Sequence, residues 1–138
     1  MKFRYEVSGE DMSLAGKASG EVKRALGRLG VNPAAIKRTA VCMYEAEMNM
    51  AIHGGGGVAE AELSPDRIVV TMRDSGPGIP DLELAMQEGY STAPEWIREM
   101  GFGAGMGLPN MKRNSDELRI DSAPGSGTTV TIMVRFDP

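Results

Sequence analysis

Polar and apolar positions alternate over Lys2-Phe3-Arg4-Tyr5-Glu6-Val7, so the chain opens on a short strand with Phe3, Tyr5 and Val7 on its buried face, ending at Ser8-Gly9. From Ser13 to Leu29 the spacing changes: Leu14, Ala18, Val22, Ala25, Leu26 and Leu29 recur at helical intervals, and Gly30 stops the helix. Asn32-Pro33 supplies an N-cap followed by proline at the first helical position. The second helix then runs through Ile36, Ala40, Met43, Ala46 and Met50 to His53, where Gly54 to Gly57 ends it. Val58 to Leu63 alternates as a strand, Ser64-Pro65-Asp66 turns, and Ile68 to Arg73 returns to complete a hairpin. A short helix is expected from Asp81 to Gln87. Glu88 to Ala104 has no sustained period and reads as a long loop of the lid or binding kind. Met106 to Ser115 is helical, Glu117 to Ala123 a strand, Pro124 to Gly127 a turn, and Thr128 to Phe136 a final β-branched strand. The order β-α-α-β-β-α-lid-α-β-β predicts one α/β domain over residues 1–138, an α+β two-layer sandwich whose mixed sheet carries its helices on one face.

Composition narrows the setting more than the fold. A chain of 138 residues suits one domain with a substantial core. The net charge of −4 argues against a nucleic-acid partner, which a basic patch would announce. Cys42 is the only cysteine, so neither a disulfide framework nor a cysteine metal cluster is available; on the apolar face of the second helix it reads as a buried, inert thiol in a reducing compartment. The N-terminus lacks the apolar core of a secretion signal, and no run approaches the ~18 apolar residues of a membrane span, so a cytoplasmic protein with no membrane partner is expected. Two biases change the picture. The 18 glycines cluster at 54 to 57, 76 to 78, 101 to 107 and 125 to 127, which suits loops shaped for close approach. The 11 methionines read mainly as core filler, though Met-rich surfaces can also adapt to partners.

Four stretches carry candidate chemistry. Asp74-Ser75-Gly76-Pro77-Gly78-Ile79 places an acid at a strand end before two glycines, a tight turn or a loop that lets a flat or phosphorylated ligand meet the main chain. Glu45, Asn49 and His53 are spaced four apart, each about 40° round the helix from the last, giving a polar stripe that is either a solvated face or a site. Gly101-Phe102-Gly103-Ala104-Gly105-Met106-Gly107 leads into a helix, where unpaired N–H groups and the dipole favour an anion. It lacks the Gly-Lys-Ser/Thr of a Walker loop, and no strand leads into it as in a dinucleotide fingerprint. Gly127-Thr128-Thr129 opens the last strand.

In their order and spacing these four resemble the motifs of the GHKL ATPase superfamily, which contains gyrase B, the Hsp90-type chaperones, histidine kinases and MutL. Within it the chain is most similar to the small bacterial serine kinases that act as anti-sigma factors and switch kinases. Leu82 to Thr92, Gly107 to Arg113, and Ile120 to Ala123 ahead of Gly125-Ser126-Gly127-Thr128-Thr129 share that character. The resemblance implies a Bergerat-type ATP-binding fold with ATP and Mg²⁺ as cofactors. It implies that Asp74 accepts a hydrogen bond from the adenine amino group, that Gly76, Gly78 and Ile79 let the backbone approach the base, and that Thr128 supports Asp74. Asn49 would ligate Mg²⁺ through its amide oxygen, a hard ligand suited to that ion. Glu45 would be the general base toward the attacking hydroxyl. Gly101, Gly103, Gly105, Met106, Gly107 and Leu108 would wrap the triphosphate, and His53 would make a helix-end or phosphate-side contact.

The implied activity is serine/threonine phosphotransfer to a small STAS-like antagonist protein, with sequestration of a sigma factor or other regulator. Homodimers occur among similar kinases. The alternative is an ATP-responsive binding module that regulates a partner without phosphotransfer; a detached histidine-kinase catalytic domain fits less well, since no helix carries a phospho-acceptor histidine. The segment Ala93 to Met100 looks like an insertion relative to the switch kinases, and its Trp96 is equally a partner anchor or a lid packing residue.

Overall fold

A computed structural model of the chain describes residues 1–9, 16–53, 55–74, 76, 107–122, 125 and 127–137, with the backbone alone at Ser8, Ile52 and His53. The strands are β1 (Lys2–Ser8), β2 (Gly56–Leu63), β3 (Arg67–Asp74), β4 (Glu117–Ser122) and β5 (Thr128–Arg135). The helices are α1 (Lys17–Arg28), α2 (Pro33–His53) and α3 (Gly107–Asn114). The expected helix from Asp81 to Gln87 and loop from Glu88 to Ala104 lie outside the described residues.

The strands form one five-stranded sheet in the order β1-β2-β3-β5-β4. The two-layer α/β class expected from sequence holds, but every pairing among the described residues is antiparallel where a mixed sheet was expected. The reason lies in the β1–β2 connection. Two helices packed against each other and joined by a short turn carry the chain away and back again, so β2 re-enters at the end where β1 stopped and runs opposite to it.

Helix boundaries follow local chemistry. The α1 C-terminus is a Schellman motif: the Val31 amide donates to Leu26 O (3.1 Å) and Gly30 N to Gly27 O (3.2 Å), with Gly30 at φ 76° where a side chain would be strained. Asn32 caps α2 as expected, its Oδ1 accepting from Ala34 N at 2.9 Å. Inward rows of β2, β3 and β5, such as Ala59, Met72 and Val130, meet Val22 and Leu26 of α1, Met43, Ala46 and Met50 of α2, and Met111 of α3. α2 packs on both other helices and on the sheet, so it is apolar round much of its circumference. Met43, Met72 and Met111 are almost wholly buried, so these methionines fill core, each contributing about 1.5–3 kcal/mol by burial.

β2 begins two residues before the expected Val58, because Gly56 and Gly57 pair with Ser8 and Val7 instead of merely ending a helix. Gly57 also faces Asp74 across the ladder. A Cβ at Gly57 would sit 1.9 Å from Arg73 O and 2.8 Å from Met50 Cε, so glycine is what allows α2 to lie this close to the β2–β3 ends.

Candidate functional site

Asp74 is the last residue of β3, on the same side of the strand as buried Met72 and Val70, so the pleat aims it into the layer between sheet and helices. Its Oδ1 accepts two backbone hydrogen bonds, from Gly76 N at 3.0 Å and from Thr128 N at 3.1 Å. Oδ2 has no hydrogen-bond partner among the described residues. Thr128 therefore touches Asp74 through its main chain. Its hydroxyl instead lies 2.9 Å from Ser122 Oγ, and because the Ser122 hydroxyl donates to Gly127 O (3.3 Å), Thr128 is the donor in that pair. One carboxylate oxygen is thus fixed by the neck of β5 and the turn after β3.

α2 supplies the second part. Glu45 and Asn49 are half-buried and lie one turn apart on one face, as the four-residue spacing required. Glu45 Oε1 accepts from Asn110 Nδ2 of α3 at 3.4 Å. Arg113 Nη2 in turn donates to Asn110 Oδ1. Arginine only donates and a carboxylate only accepts, so the Asn110 amide can be oriented in one way: oxygen to Arg113, nitrogen to Glu45. On its other flank Glu45 borders a groove of about 360 Å³ between α1 and α2. Gly16, Tyr44 and Glu45 line one end of it and Lys23 and Lys37 the other.

Between Glu45 and Asn49 stands a residue that the polar stripe did not include. Glu47 is 1 % exposed and accepts from Gly16 N (2.9 Å) and Ala18 N (3.1 Å) through Oε2 and from Ser19 N (3.0 Å) through Oε1. Gly16, the α1 N-cap residue, offers no capping side chain, so a carboxylate from the neighbouring helix satisfies the orphan amides and meets the positive end of the helix dipole. The helix was expected from Ser13, whereas α1 starts at Lys17, so nothing in the sequence marked Gly16 as an uncapped start. Ser122 and Asn110 were likewise absent from the sequence-based set of site residues.

The remaining expected residues divide clearly. Gly76 is in place beside Asp74, and Gly107 and Leu108 open α3, with the Leu108 side chain in the core beside Met111. Gly78, Ile79, Gly101, Gly103, Gly105 and Met106, the His53 side chain and Trp96 lie outside the described residues. Cys42 is fully buried, and burial pushes its thiol up to about 12, which removes it as a nucleophile. Among the described residues no group of three or more His, Cys, Asp or Glu could hold a metal ion, and no helix is long and apolar enough to cross a membrane.

The profile of the family described as histidine kinase-, DNA gyrase B- and HSP90-like ATPase matches residues 36–138. The chain belongs to this family. Among curated relatives it is 38 % identical over 99 residues to an anti-sigma F factor of Pasteuria penetrans, covering 67 % of this chain and 63 % of that protein. The chain thus spans less than two thirds of that relative's length. It is 33 % identical over 116 residues to the serine/threonine-protein kinase RsbT of Bacillus subtilis, covering 78 % of this chain and 81 % of that one. Two solved structures share the family fold. The RsbU and RsbW domains of a Mycobacterium tuberculosis protein align over 98 % of this chain and 33 % of theirs, with a TM-score of 0.67 at 17 % identity. The SiaB–SiaC complex from Pseudomonas aeruginosa aligns over 95 % and 88 %, with a TM-score of 0.65 at 12 % identity.

Proposed function

We propose that the chain is a cytoplasmic ATP-dependent serine/threonine protein kinase of the anti-sigma factor type, which phosphorylates a small STAS-like antagonist and regulates transcription or stress signalling by partner switching. The observation that carries this reading is the pairing of an anchored Asp74 with a second carboxylate, Glu45, one turn before Asn49. A module that only binds nucleotide needs the first and not the second. The names of relatives of similar length support phosphotransfer, RsbT of Bacillus subtilis above all.

The residues suit the chemistry. Asp74 Oδ2 accepts from the exocyclic amino group of adenine, a donor that guanine lacks there, while the Gly76 and Thr128 amides hold the carboxylate still. The Asn49 amide oxygen fits Mg²⁺, which prefers few protein ligands and keeps phosphate oxygens and water; that preference accords with one amide in place of an acidic cluster. Bound MgATP supplies an electrophilic phosphorus and neutralises the leaving diphosphate. The first amides of α3, at Gly107 and Leu108, favour phosphate charge, and the buried Leu108 side chain anchors them. Glu45 takes the proton of the acceptor hydroxyl as its oxygen bonds to phosphorus. The groove between α1 and α2 gives the acceptor segment a route to Glu45.

Glu45→Ala tests the reading. With radiolabelled ATP and a purified STAS-domain protein as acceptor, phosphotransfer is expected to fall by at least about 100-fold, the low end of general-base contributions, with ATP affinity unchanged by calorimetry. Transfer at the wild-type rate overturns the role of Glu45. ATP binding without transfer in the wild-type protein identifies a nucleotide-responsive binding module instead.

A further inference from the structure

We infer that Asn110 is a positioning residue for Glu45: its amide, oriented by Arg113, ties the carboxylate on α2 to α3. The inference rests on the kinase reading given above, because it assigns a function to the bond between Asn110 and the proposed base.

Three observations carry it. First, Asn110 bridges two helices and not two turns of one, with Nδ2 on Glu45 of α2 and Oδ1 on Arg113 of its own helix. Second, α3 is itself fastened at this end to α2. Asn114 Nδ2 donates to Asn110 O (2.9 Å), Arg38 Nε of α2 donates to Asn114 O (3.1 Å), and Arg38 pairs with Asp116 (3.0 Å). The Asn110 amide therefore projects from a braced turn. Third, Glu45 is only half-buried beside an open groove, so nothing else among the described hydrogen bonds fixes its carboxylate. A general base that must meet a hydroxyl within about 3 Å loses rate when its side chain samples several rotamers.

The test uses the full chain with Asn110→Ala, the near-isosteric Asn110→Asp and the control Glu45→Gln, and follows phosphotransfer from ATP and Mg²⁺ to a purified STAS-domain protein. In Asn110→Ala kcat is expected to fall about 5–30-fold with ATP affinity and the KM for the acceptor unchanged. Asn110→Asp, which replaces the donor by a negative charge, is expected to lower kcat at least as far and remains decisive if the alanine variant fails to fold. An unchanged kcat in both variants, with Glu45→Gln inactive, overturns this inference and leaves the kinase reading standing. Full activity of Glu45→Gln overturns the kinase reading and this inference with it. A loss of ATP affinity that accounts for the whole loss of rate assigns Asn110 to nucleotide binding and also overturns the positioning role.

Discussion

Replacing Glu47 by alanine should cost the protein a large part of its stability while touching neither Asp74 nor Glu45. The Glu47 carboxylate closes the first turn of α1 by accepting from the amides of Gly16, Ala18 and Ser19, and its side chain is 1 % exposed. Hydrogen bonds to a charged group contribute about 1.5–3 kcal/mol each, and an unsatisfied buried donor costs about 1–3 kcal/mol. The Gly16 amide is only partly buried and can recruit water, so the three losses do not add in full; a total of about 3–5 kcal/mol follows. Against a typical total of about 5–15 kcal/mol this is severe. For a chain of this size it corresponds to roughly 10–20 °C in Tm. Glu47→Gln keeps one accepting oxygen but offers an NH₂ where the second stood, so about 1.5–3 kcal/mol is expected. Urea unfolding followed by circular dichroism gives the free energies, and hydrogen exchange at the Ala18 and Ser19 amides locates the effect. A loss below about 1 kcal/mol in Glu47→Ala, or unchanged exchange at those amides, would refute the reasoning.

Two further outcomes follow from the hydrogen-bond pattern. Asp74→Asn retains the oxygen held by Gly76 and Thr128 but presents an amide donor to the adenine amino group. Calorimetry should show ATP affinity reduced by about 1–3 kcal/mol with the Tm of the free protein unchanged, and an unchanged affinity excludes the adenine role. The Arg135 backbone amide, first, and then the Arg38 guanidinium hold the Asp116 carboxyl below the usual carboxylate range. A depressed folded pKa stabilises the native state above the unfolded value near 4 and loses that contribution as pH falls through the folded value. Both partners are partly exposed, so Asp116→Ala should destabilise by about 1 kcal/mol at pH 7. That difference should close in thermal melts taken below about pH 4, and a difference that persists there shows that Asp116 acts through packing.

What the sequence discloses depends on how far each residue's partner lies along the chain. Gly30, Asn32 and Pro33 act within their own turns, so the α1 stop and the α2 start are legible directly. Asp74 is legible because a strand end, an acid and two glycines are contiguous; its bond to Thr128, 54 residues on, is not encoded locally and was reached through a family resemblance. The bond runs from the Thr128 amide to Asp74 Oδ1. Glu47 shows the limit. It stands two positions from both Glu45 and Asn49, so it points to the far side of the helix among Met and Ala, where a periodicity argument sees only a break in an apolar face. Its partners are amides some 28–31 residues earlier. Amides carry no side-chain signature. Strand direction was obscured for a related reason: alternation fixes which face of a strand is buried, and says nothing of which way its neighbour runs.

Glu47 and Glu45 attach α2 on opposite sides, and the turn after them is held against the sheet. Glu47 binds it to α1, Glu45 meets α3 through Asn110, and the turn holding Asn49 and Met50 is pressed toward the β2–β3 ends by the missing side chain at Gly57. Gly57 is the cross-strand neighbour of Asp74, so Asp74 and the α2 turn that carries Asn49 share one contact between helix and sheet. Glu45 stands one turn away from that contact, at the border between α3 and the open groove. On the proposed function, nucleotide recognition is built into the packing of helix on sheet, whereas the proposed base Glu45 sits where a second helix can adjust it. Substitutions around Gly57 and Met50 should change affinity and stability together. Those around Asn110 should change rate alone, a separation that the proposed kinase activity would need if a partner were to control transfer without releasing the nucleotide.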